Sequence, residues 1–434
     1  MDIKLISCIV IFCLTLLSYI LNRIPMWITS MVSLAALYLT GCMDAAAALS
    51  GFSNTNTVLM AGMFLVAAGF QRTSFVQRMC DGVIRVSGGS FQKAYAAYIV
   101  LAVLLTNLIS SPVATFAIIC SLLVALCERT GTSRSRVIFP TMVVCVGCFG
   151  LLPFASAVQQ ASQAQGFLDT YGFSQTISAT DYFIGKAPML LVLPLWAIFM
   201  GPRVTPQEPA AALSGAGTGK SRERKPLTPF QDKAAIFIFF ADIFAMIFAG
   251  PLGLETWFVA FAGGLLMVCC GALDHRTALK EIPWDMILLF VGALGLGTAL
   301  TETGAGTVVG NWLARIVGGT TNNYLLGALF FLVPFIITQF MLNRAVNQIF
   351  TPICLLTCQA LGANPIGLIL LVSAGSLTAF LTPMATPAVA MCMGEGGYDL
   401  RSILKSGWAI TILLSVVYIF YTMTVYPATV YPAF

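Results

Sequence analysis

Residues 151–158 read LLPFASAV, and residues 381–389 read LTPMATPAV. Each stretch sits in the middle of a long apolar run and sets proline beside a hydroxyl residue. Proline removes a backbone donor and frees a carbonyl one turn back, so each run is expected to unwind, near Pro153 and near Pro383 to Pro387. A second pair recurs at the same separation: LCERTG at 126–131 and TCQALG at 357–362, again about 230 residues apart. Matching offsets for separate segments indicate a duplicated unit.

The 434 residues are 58% hydrophobic and 9% charged, with a mean hydropathy of +0.90. A soluble domain carries about 25% charged residues, so the reading is an all-α polytopic membrane protein. Full spans are expected near 3–21, 26–41, 57–71, 137–165, 183–201, 233–249, 254–271, 284–300, 366–394 and 403–425. The first run lacks a basic leader and a small-residue cleavage site, and is read as a retained helix. The cysteines lie mostly along apolar helices, and the one CxxC, Cys145 and Cys148, has no other metal ligand near it. His275 falls in a charged loop. With no nucleophile and base together at membrane depth and no metal set, an enzyme is excluded. Nucleic acid is excluded as a partner, leaving lipid and a small solute, with no tightly bound cofactor.

Between the third and fourth spans of each half come a mixed-charge segment, TSFVQRMCDGVIRVS (73–87) or TGAGTVVGNWLARIV (303–317), suited to the membrane surface, and then a polar-interrupted apolar stretch. These stretches, 94–127 broken at TNLISSP and 322–361 broken at QFMLNRAVN, are read as re-entrant hairpins, because irregular backbone at lipid depth needs a protein-lined cavity. On this topology 18 of the 22 Lys and Arg lie on one face. Only Lys4, Lys186 and Arg315 fall on the other, with Arg344 in the membrane. The positive-inside rule makes the crowded face cytoplasmic and both termini extracytoplasmic, in a cell inner membrane. A Pro-, Gly- and charge-rich stretch from Gly201 to Thr228 divides the chain. The expected organisation is residues 1–201, a linker over 202–232, and residues 233–434. Each half has five crossings, so the second copy enters the membrane upside down. Inverted repeats with broken helices are the architecture of secondary transporters.

The chemistry is expected at the breaks and tips. Ser156, Thr382, Pro383 and Thr386 flank the breaks. Asn107, Ser110, Ser111 and Thr115 surround Pro112, which can open the returning limb. Gln339, Asn343, Arg344 and Asn347 form the second tip, with Asn343 and Asn347 one turn apart and able to share a cavity. Unwound carbonyls and hydroxyls suit cations, while helix N-termini suit anions. Substrate contacts are therefore assigned to Ser110, Ser111, Asn343, Arg344, Asn347, Thr382, Pro383 and Thr386, and Na+ ligands to Asn107, Ser110, Ser156 and Asn343. Arg344 has three candidate partners: Asp242 in FFADIFAM, Glu395 in CMGEGGYD, and a substrate carboxylate, which a forked guanidinium suits. The SNT triplet at 53–55 opens the third span and is read as a helix cap.

The stretches EIPWDMILLFVGALGLGTALTETGAG (281–306), LGANP (361–365) and SLTAFLTPMATPAVAMCMGEGGYDLRSILKSGW (376–408) resemble the divalent anion/sodium symporters of the ion transporter superfamily. The resemblance implies a homodimer with scaffold and transport domains, elevator-type alternating access, and Na+-coupled uptake of di- or tricarboxylates or sulfate. That family carries Ser-Asn-Thr at each hairpin tip. Here the tips read Ser110-Ser111-Pro112 and Leu342-Asn343-Arg344, with fixed positive charge where a cation is held. Two rival functions remain: a cation/proton antiporter of the same superfamily titrating Asp242, and an anion exchanger without Na+.

Overall fold

The computed structural model describes all residues except 1–2, 22, 76–77, 80–81, 83–89, 110, 211–226, 249–252, 317–321, 384–385 and 429–434. The described residues are helical, without strands. The first half runs α1 (Ile3–Leu21), α2 (Met26–Leu39), α3 (Ala45–Ser53), α4 (Thr55–Gln71), α5 (Phe91–Leu108), α6 (Pro112–Thr130), α7 (Ile138–Gly147), α8 (Ala155–Thr170), α9 (Ala179–Lys186) and α10 (Met189–Leu195), which continues through a π turn, Trp196–Met200, to Val204. The second half runs α11 (Pro229–Ile247), α12 (Thr256–Cys269), α13 (His275–Glu281), α14 (Trp284–Glu302), α15 (Ala305–Ile316), α16 (Asn323–Thr338), α17 (Asn343–Leu361), α18 (Ile366–Leu377), α19 (Pro387–Gly396) and α20 (Leu400–Val425).

The local signals recur in the same order. Asp44 caps α3 by accepting from the Ala47 amide, and Asp274 caps α13 by accepting from that of Arg276. Gly131 and Gly362 end α6 and α17 at φ of 65° and 64°, a left-handed conformation where a side chain is strained. The apolar runs break where proline requires it. α7 and α8 flank an irregular stretch around Pro153, and α18 and α19 flank one around Pro383. Of Ser53, Asn54 and Thr55, expected as a cap, Asn54 is the capping residue, accepting from the Asn56 amide at 2.8 Å, while Ser53 ends α3 and Thr55 begins α4.

Among the described residues five helices are long and apolar enough to cross a membrane unaided, and a sixth if the bent pair α9–α10 counts as one. Several of the expected spans are shorter apolar helices or broken pairs. The expected continuous span at 183–201 is bent by 53° between Lys186 and Met189, where Pro188 stands. Lys186, expected on the extracytoplasmic face, is instead 2% exposed in the interior.

Close crossings fix the helices that frame the site. α4 packs on α12 and α2 on α14. A Cβ built on Gly62 would lie 2.4 Å from the Ala260 carbonyl oxygen. Backbone meets backbone there, as small residues permit in membranes. Gly62→Val is therefore expected to force α4 and α12 apart and to lower the melting temperature of the detergent-purified protein by roughly 5 °C or more. Asp242 of α11 lies in the same region; a Cβ on Gly263 would come 2.3 Å from its Oδ1. α8 joins this body to the hairpins, with Ser162 Oγ donating to the Asn56 carbonyl at 3.2 Å and Phe167 edge-on to Phe290.

Candidate functional site

The hairpin tips are fastened to the breaks by matching hydrogen bonds. In the first, Thr106 Oγ1 donates to the Cys145 carbonyl at 2.7 Å. Asn107 Nδ2 donates to the Val103 and Cys148 carbonyls at 2.8 and 3.0 Å, while its Oδ1 accepts from the Leu151 and Leu152 amides, both at 2.9 Å. In the second, Thr338 Oγ1 donates to the Ser376 carbonyl at 2.8 Å. Gln339 Nε2 donates to Phe335 O at 3.0 Å, and its Oε1 accepts from the Leu381 amide at 3.3 Å. Thr382 Oγ1 donates to the Gln339 carbonyl. The unwound backbone thus finds its partners on the tips, as chain without water must. The contacts also place both tips at the depth where α7–α8 and α18–α19 are interrupted.

Between the tips lies a cavity of about 510 Å³, within the range of about 300–1,000 Å³ usual for small-molecule sites. Three helices begin on its wall. α6 starts at Ser111 and Pro112, α17 at Leu342 and Asn343, and α19 at Thr386 and Pro387. Ser111 and Thr386 accept from the amides of Ala114 and Ala388. The first amides of a helix carry partial positive charge and favour anions. Arg344, in the first turn of α17, adds a full charge. It is exposed to the cavity, so its charge is accessible to a solute.

The expected carboxylate partners of Arg344 are placed otherwise. Glu395 lies 3.7 Å from Arg134 Nη1, and Asp242 is packed against α12. The acid that shares the cavity is Asp285, in the first turn of α14, beside Met286 and facing Pro25 and Trp27 at the start of α2. Sequence reasoning missed it because the start of a span next to charged loops looks like an ordinary solvated position.

Of the other expected substrate residues, Ser111, Asn343, Arg344 and Thr386 meet at the cavity. Asn347 does not share it with Asn343; its Nδ2 donates to Gln163 Oε1 of α8 at 3.4 Å, because four residues turn somewhat past one helical repeat. Thr382 and Pro383 belong to the docked break. Ser110 lies outside the described residues. The three expected Na+ ligands among the described residues are engaged with protein. Asn107 uses both donors and both acceptor positions on backbone, Ser156 Oγ donates to the Asn107 carbonyl at 3.2 Å, and Asn343 Oδ1 accepts from Thr338 Oγ1 at 3.1 Å. Asn107 is a structural clamp whose side-chain oxygen has no lone pair left for a cation. Among the described residues no cluster of three His, Cys, Asp or Glu could hold a metal.

Residues 16–347 match the model of the citrate transporter family, CitMHS, and the chain belongs to that family of multi-pass membrane transporters. An uncharacterized transporter of Synechocystis is 29% identical over 209 residues, covering 47% of this chain and 33% of the relative's length, so the chain matches only about a third of that protein. A sodium-dependent high-affinity dicarboxylate transporter of Caenorhabditis elegans is 21% identical over 96% of this chain and 82% of its own. Among solved structures, MtrF of Neisseria gonorrhoeae, described within a class of antimetabolite efflux pumps, superposes with a TM-score of 0.64 at 12% identity over 100% of this chain and 96% of its own. The YdaH transporter of Alcanivorax borkumensis, of unusual topology, gives 0.61 at 13% identity over 88% and 89%. The all-helical transporter fold is shared with both.

Proposed function

We propose that this protein is a secondary transporter of small di- or tricarboxylate anions, which bind between Arg344 and the helix starts at Ser111, Asn343 and Thr386. The observation that carries the reading is the convergence of three helix N-termini and a solvent-accessible guanidinium on one cavity. Family membership and the dicarboxylate-transporting relative support the substrate class. The halves are read as inverted repeats, 1–201 and 233–434, in a homodimer. Because each tip is hydrogen-bonded to its break, hairpins and broken helices move as one unit. The starts of α2 and α14 line the cavity opposite the tips, so sliding of that unit past those two helices gives elevator-type access. With the basic face cytoplasmic, the starts of α2 and α14 lie towards the inside. Coupling through a Na+ at Asn107 is disfavoured by its filled valences. The antiporter reading is weaker, since Asp242 lies against α12 and α4 rather than on the cavity.

The test is thermal stability and uptake with citrate, succinate, sulfate and a monocarboxylate, with and without Na+. Stabilisation by polycarboxylates and not by the monocarboxylate is expected; indifference to every anion would sink the reading. Asp285 places negative charge opposite Arg344, opposing an incoming anion. Asp285→Asn is accordingly expected to tighten anion binding roughly three- to tenfold at low ionic strength, with the gain shrinking in added salt. Calorimetric titration at two salt concentrations checks it.

A further inference from the structure

Lys186 is the last residue of α9, just before the 53° bend, and is 2% exposed. Its Nζ lies 3.2 Å from Ser373 Oγ on α18, 3.5 Å from Gln160 Oε1 on α8, and 4.8 Å above the Tyr182 ring. Ser373 Oγ also donates to Gln160 Oε1 at 2.9 Å, and the Tyr182 hydroxyl donates to the Gln160 carbonyl at 3.4 Å. No carboxylate among the described residues pairs with the ammonium. Its surroundings are an amide oxygen, a hydroxyl, an aromatic face and the carbonyl end of a helix. Each of these attracts a cation without neutralising it.

The position connects both broken helices. Among the described residues Gln160 Nε2 has no hydrogen-bond partner, and it packs against Gly150 of the first break, where a Cβ would overlap it. Gly150 holds φ +70°, so the break itself requires glycine there. On α18, Ser373 lies one turn before Ser376 and Leu377, whose carbonyls accept from Thr338 and Asn343 of the second tip. A buried ammonium with only neutral partners is costly to desolvate, and a neutral residue would fill the space without that cost.

We infer that Lys186 is a tethered cation at the crossing of the two broken helices, standing in for a diffusible coupling cation, so that transport needs no Na+. The inference rests on the anion-transporter reading but has a readout that needs no substrate. Lys186→Ala leaves the same oxygens around a space that a small cation can enter, whereas Lys186→Met fills it. The melting temperature of the purified full-length protein is measured in choline chloride, then with Na+ or methylammonium added. Lys186→Ala is expected to melt about 5 °C lower in choline and to regain at least half of that with either small cation, while wild type and Lys186→Met do not respond. No recovery in Lys186→Ala would overturn the inference.

In proteoliposomes, wild-type citrate uptake is expected to be unchanged when choline replaces Na+, and Lys186→Met, folded by its melting curve, to lose at least tenfold. A tenfold fall of wild-type uptake without Na+, or full activity of Lys186→Met, would overturn it as well. If Lys186→Ala does not fold, Lys186→Met decides. Should wild type carry no carboxylate, the substrate reading fails while cation recovery still decides the role of the lysine.

Discussion

Arg344→Ala is expected to abolish uptake of the anionic substrate while leaving the protein folded. The guanidinium is exposed to the cavity at the first turn of α17, and Asp285 across from it is exposed as well, so truncating it strands no buried charge. What is lost is a charge-assisted, forked hydrogen bond to a carboxylate, about 3 kcal/mol or roughly 100-fold in affinity. Lys at the same position keeps charge without the fork and should recover only part of the loss. The measurement is citrate or succinate uptake in proteoliposomes beside the melting temperature. Wild-type uptake by the alanine variant would remove Arg344 from the site.

Asn107→Ala is expected to be the most damaging single change to the transport unit. It removes four hydrogen bonds and leaves the Leu151 and Leu152 amides without acceptors in the break. Two stranded amides cost about 2–6 kcal/mol together. The tip would also lose its hold on the break, so transport should fail with stability. The outcome separates clamp from ion ligand. A clamp destabilises equally in Na+ and choline, whereas a Na+ ligand lowers the melting temperature only where Na+ is present. Gln339→Ala is expected to act in the same direction more mildly, because it strands one amide, that of Leu381.

Much of this was legible in the chain. Proline placement located both breaks, because a missing donor acts locally whatever surrounds it. The capping residue Asn54, and Pro112 at the start of α6, were readable for the same reason, whereas Ser111, read as a substrate contact, caps α6 in the structure. Ser111, Asn343, Arg344 and Thr386 were expected to share a cavity because polar groups in an apolar run need one, and these four line one. Asn107 was identified as polar at the tip but assigned to an ion, since sequence does not reveal which backbone groups reach a side chain.

The sequence by itself determined that this is a helical membrane protein with two interrupted runs in each of two similar halves, since hydropathy, proline and caps act over a few residues. Only the tertiary structure decided which charge meets which. Asp285 comes to Arg344, Glu395 goes to Arg134, and Lys186 goes inside among neutral groups. Those pairings join residues as far apart as Glu395 and Arg134, and electrostatic partnership depends on distances of a few ångströms set by helix packing. No local pattern along the chain encodes them.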